Sequence, residues 1–238
     1  MDRYTTEVVR NYISVRKTVK PLYSPDRMSP EKSAELPSIQ RDATSFVRLG
    51  EWLFRHRTVT PVPLALALLV LPGRVPPSAV LTAVGVALVA LGEAVRLWSV
   101  RQIGVISRTR SGRVGPLVAS GPFALVRNPL YLGNLALWIG FAVSARLIWF
   151  APVVALVLGL EYHAIVRWEE RQLDAQFGDR YRQYLARVSR WIPTRRAPAI
   201  EAASAPYSWR ATFFSERGTL IAIATGYLLL WIKSQGLP

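Results

Sequence analysis

The chain has 238 residues, enough for one domain or one domain with a tail. Half of it is hydrophobic (51%), yet 30 Lys and Arg stand against 15 Asp and Glu, and these charges fall in blocks between apolar runs. That is the pattern of a multispan membrane protein, and it argues against a nucleic-acid-binding module, which needs no such runs. There is no Cys, which excludes a disulfide framework and thiolate metal sites, and with two His a multi-His metal centre is not expected.

Residues 1–44 read as a basic, mostly disordered tail. Pro21, Pro25, Pro30 and Pro37 interrupt it, and no apolar period persists through residue 39. Its Lys and Arg suit anionic headgroups. It has no uninterrupted apolar h-region, so a cleaved signal peptide is not expected. Residues 45–57 predict an amphipathic helix lying in the membrane interface. Phe46, Leu49, Leu53 and His56 are spaced by three and four, with Arg48, Glu51, Arg55 and Arg57 interleaved. Residues 58–71 are a first apolar run, with Pro61 and Pro63 near its start. A bilayer core takes about 20 apolar residues, so the preceding helix is expected to add length.

Residues 79–98 form a cleaner span. Gly85 and Gly92 share one face and allow close helix packing. Glu93 and Arg96, three apart, are read as a structural pair at the membrane edge. A loop over residues 101–126 carries Arg101, Arg108, Arg110 and Arg113. Residues 130–144 and 147–168 are two further spans, separated only by Ala145-Arg146 and therefore a tight hairpin. Residues 169–188 predict a separate amphipathic helix with Leu173, Phe177, Tyr181, Tyr184, Leu185 and Val188 on one stripe. After a loop with Pro193, Pro198 and Pro206, residues 219–232 are a last short span, ended by Lys233.

The expected architecture is thus an all-α integral membrane protein of about five transmembrane helices with an interfacial site. It divides into a tail (1–44), a core (45–193) and a loop with a C-terminal helix (194–238). Arg74, Arg146 and Lys233 are the only basic residues in the first turn, the second turn and the C-terminal end. The others lie in the tail, the second loop and the long fourth loop, or at helix ends beside them. The positive-inside rule puts those parts, and the N-terminus, on the cytoplasmic side.

Two polar stretches bracket the hairpin. In the first, Arg127-Asn128-Pro129-Leu130-Tyr131, Asn is a good N-cap and Pro suits the first helical position. A helix N-terminus offers N–H groups to an anion, and Arg127 adds a fork suited to a carboxylate. The second opens with Glu169-Glu170. Such a pair favours a helix N-terminus, but Glu169 lies four residues before Leu173 and shares its stripe, where a carboxylate needs a partner. Together the brackets suit a zwitterionic, partly apolar cofactor.

The run Leu117-Val-Ala-Ser-Gly-Pro-Phe-Ala-Leu-Val-Arg-Asn-Pro-Leu-Tyr-Leu-Gly133, followed by Glu169-Glu170, Leu173, Phe177-Gly178, Tyr181 and Tyr184, resembles the isoprenylcysteine carboxyl methyltransferase and phospholipid methyltransferase superfamily of integral membrane enzymes. The match covers residues 96–193. It implies S-adenosyl-L-methionine as methyl donor and a lipophilic methyl acceptor reached from the lipid bilayer. The implied cofactor contacts fall on Arg108, Gly115, Pro116, Leu117, Val118, Phe123, Asn128, Pro129, Leu130 and Tyr131, and the reading of the two brackets adds Arg127 and Glu170 as candidates. The candidate catalytic residues are Arg127 and Glu169, of which Glu169 matches the acid of the family's substrate side. The chain departs from the family at Asn128, where His is usual, at Phe123, where Tyr is usual, and at Ile165, where the prenylcysteine enzymes have Arg. That last change weakens a carboxylate acceptor. An acceptor that must lose a proton needs a base; Glu161 and His163 are candidates, with His163 read as structural. The alternatives are a phospholipid amine N-methyltransferase and a non-catalytic basic membrane scaffold. A nicotinamide-dependent reductase lacks its G-x-G-x-x-G here. No obligate protein partner is evident.

Overall fold

The computed structural model describes residues 38–103, 117–194 and 207–236, with side chains from residue 45 onward. Arg108, Gly115, Pro116, Pro198, Pro206 and most of the expected tail lie outside these residues. Residues 1–43 and 44–238 form two units, and the helical bundle is the second. Seven α-helices are described: α1 (Ser38–His56), α2 (Val62–Val70), α3 (Ala79–Ile103), α4 (Pro129–Ser144), α5 (Ala151–Phe177), α6 (Asp179–Arg187) and α7 (Trp209–Ser234). Short 3-10 turns, Gly121–Ala124 and Ile148–Phe150, precede α4 and α5. No strand occurs among the described residues.

Several boundaries differ from the sequence reading. Helix α1 starts before residue 45, crossing the expected end of the tail. Helix α3 continues past Trp98 to Ile103, because Arg101 and Gln102 are good helix formers and the next glycine is Gly104. Glu169 does not begin a helix: α5 runs unbroken through the acid pair to Phe177. Glu, Arg, Gln and Leu continue a helix readily, and the break waits for Gly178, whose φ of 50° and ψ of −123° suit only glycine. Helix α7 begins ten residues before the expected span, where Ser208 accepts from the Ala211 N–H at 3.2 Å as an N-cap.

Chain direction alternates through the bundle. Helices α3 and α4 pack antiparallel with almost no side chain between them. A Cβ on Gly92 would lie 2.6 Å from the Gly133 carbonyl, and one on Gly140 would lie 2.7 Å from that of Gly85. Gly85 and Gly92 are the two glycines whose shared face pointed to close packing. Helix α4 ends in a Schellman turn: Arg146, at φ 61°, donates to the Val143 carbonyl (3.0 Å), and the Leu147 N–H donates to that of Ala142 (2.9 Å). Helix α5 then returns alongside. Helix α7 starts beside Arg101, whose carbonyl accepts from the Tyr207 N–H (2.8 Å). It ends where Lys233 Nζ donates to the Leu68 and Leu71 carbonyls at the end of α2. One end of the bundle therefore gathers the end of α3, the start of α4, the last turns of α5, α6 and the start of α7.

Two of the described helices are long and apolar enough to cross a membrane by length and composition, Ala79–Ile103 and Ile148–Phe177. The other expected spans fall short of this: α2 has 9 residues, α4 is apolar with 16, and α7 has 26 but carries Arg210, Glu216 and Arg217 in its first half.

The expected membrane-edge pair Glu93–Arg96 is instead part of a buried cluster inside the bundle. Arg96 Nε donates to Glu93 at 3.1 Å, Nη2 to Glu216 at 2.6 Å and to Thr219 at 3.0 Å, and Nη1 to Asn134. Side chains from α3, α4 and α7 meet there, so one guanidinium ties the C-terminal helix to the core. Breaking such a buried pair is costly because the surviving charge is left without its partner.

Candidate functional site

The two polar brackets, separated by 38 residues between Tyr131 and Glu169, are joined at that same end of the bundle. The Tyr184 hydroxyl donates to the Phe123 carbonyl (2.8 Å) and the Arg127 N–H to the Ser189 carbonyl (2.9 Å). The Thr194 N–H and hydroxyl both donate to the Leu125 carbonyl at 2.7 Å. Asn128 Nδ2 donates to the Arg190 carbonyl at 3.2 Å. This last bond corrects the N-cap reading: the Asn128 side chain does not cap α4, and no side chain caps its first turn. Pro129 does occupy the first helical position.

Consecutive residues on a helix point about 100° apart, so Glu169 and Glu170 meet different neighbours. Glu170 is held by two cations. Arg190 forms a two-pronged pair with it (2.6 and 3.0 Å), and Arg127 Nη1 approaches at 3.3 Å. The carboxylate in turn raises the Arg190 guanidinium above its ordinary value. Arg127 therefore does not present an open fork. Its Nη1 is engaged by Glu170, while its buried Nε has no hydrogen-bond partner among the described residues. Glu170 also lines an open depression of about 300 Å³, together with Arg167, Arg171, Asp174, Arg182, Leu185 and Arg190.

Glu169 turns to α4. Its Oε1 accepts from the Tyr131 hydroxyl at 3.0 Å. The partner its position calls for is thus supplied by the chain itself. The Tyr131 ring leans on Tyr162, with centroids 4.9 Å apart. Trp168, beside Glu169, packs on Phe54 of α1 with centroids 4.8 Å apart, and the Arg57 guanidinium lies 4.0 Å from the Phe54 ring centroid.

The apolar stripe of Leu173, Phe177, Tyr181, Tyr184, Leu185 and Val188 faces protein. It closes over Leu117 and Ala119, and burial pushes the Tyr181 and Tyr184 hydroxyls well above the ordinary tyrosine value, so both stay neutral. Val118, Phe123 and Leu130 are partly buried nearby in the chain. Glu161 and His163 lie elsewhere. Glu161 accepts from the Thr60 hydroxyl at 2.6 Å, about 12 Å along α5 from Glu169. The His163 ring stands between Phe46 (6.2 Å) and Trp191 (6.5 Å). Ile165 is fully buried in the main apolar core.

Sequence reasoning missed Arg190, Thr194, Tyr184 as a partner of Phe123, and Arg57. Arg190 is one of many arginines in a basic stretch, and no spacing signal distinguishes it. Among the described residues, no three His, Asp or Glu cluster as metal ligands.

The phospholipid methyltransferase family matches residues 80–180. A cobalt-zinc-cadmium resistance protein of Cupriavidus metallidurans is 33% identical over 117 residues, covering 49% of this chain and 50% of that protein. A nickel-cobalt-cadmium resistance protein of Alcaligenes xylosoxydans xylosoxydans is 32% identical over 117 residues, covering 49% and 51%. Methanethiol S-methyltransferase 1 of Bradyrhizobium diazoefficiens is 40% identical over 76 residues, covering 32% of this chain and 25% of that enzyme. The chain thus spans about half the length of the two resistance proteins. No solved structure matches it.

Proposed function

We propose, for a chain whose residues 80–180 match the phospholipid methyltransferase family, a membrane methyltransferase that moves a methyl group from S-adenosyl-L-methionine to a lipophilic acceptor. The observation that carries this reading is the union of the two brackets into one polar cluster at one end of an apolar bundle. The methyltransferase among the relatives adds support.

The residues present fit the cofactor. Its carboxylate needs donors, and the buried Arg127 Nε and the uncapped first turn of α4, which begins two residues later, can supply them. On this reading Arg127, Asn128, Pro129 and Leu130 hold the carboxylate end. Leu117, Val118 and Phe123 flank it; Gly115, Pro116 and Arg108, which the resemblance also implies, lie outside the described residues. Glu170 orients Arg127. The cofactor, when bound, supplies a methyl group already activated on a sulfonium. The chain's own work is then positioning and charge management. Glu169 faces the acceptor.

A carboxylate acceptor needs a cation, and the core residue Ile165 offers none one turn before the acid pair. The matched family's name favours a phospholipid amine as the alternative. Acceptor access is from the bilayer, and the site faces the cytoplasm, as the basic loops around it suggest.

Calorimetry on the purified full chain tests the reading. Binding of S-adenosylmethionine, with transfer of labelled methyl to extracted membrane lipid, is the expected result. Absence of binding to both cofactor and demethylated product leaves the non-catalytic scaffold.

A further inference from the structure

We propose that Tyr131 is a positioning residue for Glu169, its hydroxyl fixing one carboxylate oxygen at 3.0 Å so that the other faces the acceptor, and that Tyr131 is not a cofactor ligand. The proposal rests on the methyltransferase reading and sharpens its acceptor side. A neutral tyrosine has one proton to donate, and here Glu169 takes it. The tyrosine is itself held. It sits in the first turn of α4, which is anchored by Arg127 to Ser189 and by Asn128 to Arg190, and its ring is pinned against Tyr162.

The two acids of the pair are held unequally. Glu170 is fastened by two guanidinium groups. Glu169 has Tyr131 as its one hydrogen-bond partner among the described residues. A glutamate side chain carries considerable rotamer freedom, and a catalytic acid works only when neighbours hold its geometry. Tyr131 is the group that does so. Arg57, from a segment outside the family-matched residues 80–180, is close enough to act electrostatically on both Glu169 and Tyr131.

The test is a double-mutant cycle on the full chain with Tyr131→Phe, Glu169→Ala and the double variant. It reads kcat at saturating cofactor and cofactor affinity by calorimetry. Tyr131→Phe keeps the ring and is expected to lower kcat about tenfold to a hundredfold, the range for losing a hydrogen bond to a charged group, with affinity unchanged. With Glu169→Ala already present, Tyr131→Phe should cost nothing more. Infrared spectroscopy gives a readout independent of turnover. The carboxylate band lost in Glu169→Gln should shift in Tyr131→Phe, and should shift oppositely with fluorotyrosine at 131, a stronger donor of similar shape. Lost cofactor affinity with kcat intact, additive losses in the cycle, or an unmoved band would each overturn the proposal. A wild-type chain that binds no cofactor removes the methyltransferase reading, and the infrared shift alone then decides whether Tyr131 holds Glu169.

Discussion

At the scale of single residues, the acid pair separates into two roles that adjacency in sequence conceals. Glu169→Gln keeps shape and removes charge. If the carboxylate works on the acceptor, kcat falls while cofactor affinity holds; methyl transfer per folded molecule, measured beside calorimetric binding, checks this. Lost affinity with normal kcat would move Glu169 to the cofactor. Arg127→Ala is expected to weaken cofactor binding by roughly tenfold or more, the loss of a charge-assisted bond of about 1.5–3 kcal/mol. Glu170 keeps Arg190 in that variant, so the fold should survive, and unchanged affinity would count against Arg127 as a ligand. The types of these residues were legible in sequence, because carboxylates and guanidinium groups beside apolar runs demand partners. Their pairings were not. Arg127 reads as a free fork until Glu170 is found 3.3 Å away, and Asn128 as a cap until its amide is found on the Arg190 carbonyl.

At the scale of elements, helix existence was readable and helix ends were not. Periodicity and apolar runs locate α3, α4, α5 and α7, but a helix stops only where the backbone is made to turn. Good helix formers carried α5 nine residues beyond Trp168, until Gly178. This glycine tests the point cleanly, since a Cβ there would meet nothing within 4 Å. Gly178→Ala therefore adds backbone strain without a clash. It is expected to lower stability by about 1–3 kcal/mol, seen as an earlier thermal unfolding transition in detergent. A wild-type transition would mean that α6 can leave α5 by another backbone path. Conversely, the glycines of α3 announced their role, because only a close helix contact explains small residues seven apart in an apolar run.

At the scale of the whole molecule, the absence of cysteine makes membrane topology directly measurable. Single cysteines placed at Arg74 or Ser234 should react with an impermeant reagent from outside intact cells, and one at Ser189 only after permeabilisation. The reverse pattern would invert the site's orientation. The amino-acid sequence by itself determined that this chain is helical and apolar with a basic, polar site between its apolar runs, because composition and periodicity are local properties that need no neighbour. It also carried the family resemblance, which lies in contiguous motifs. Tertiary structure alone decided that the two brackets meet, that Glu170 binds Arg127 and Arg190 while Glu169 binds Tyr131, and that Arg96 draws α7 into the core. These are contacts between residues 20 to 120 positions apart. No periodicity encodes them, since they arise only when buried polar groups must find partners and the packed bundle limits which ones lie within reach.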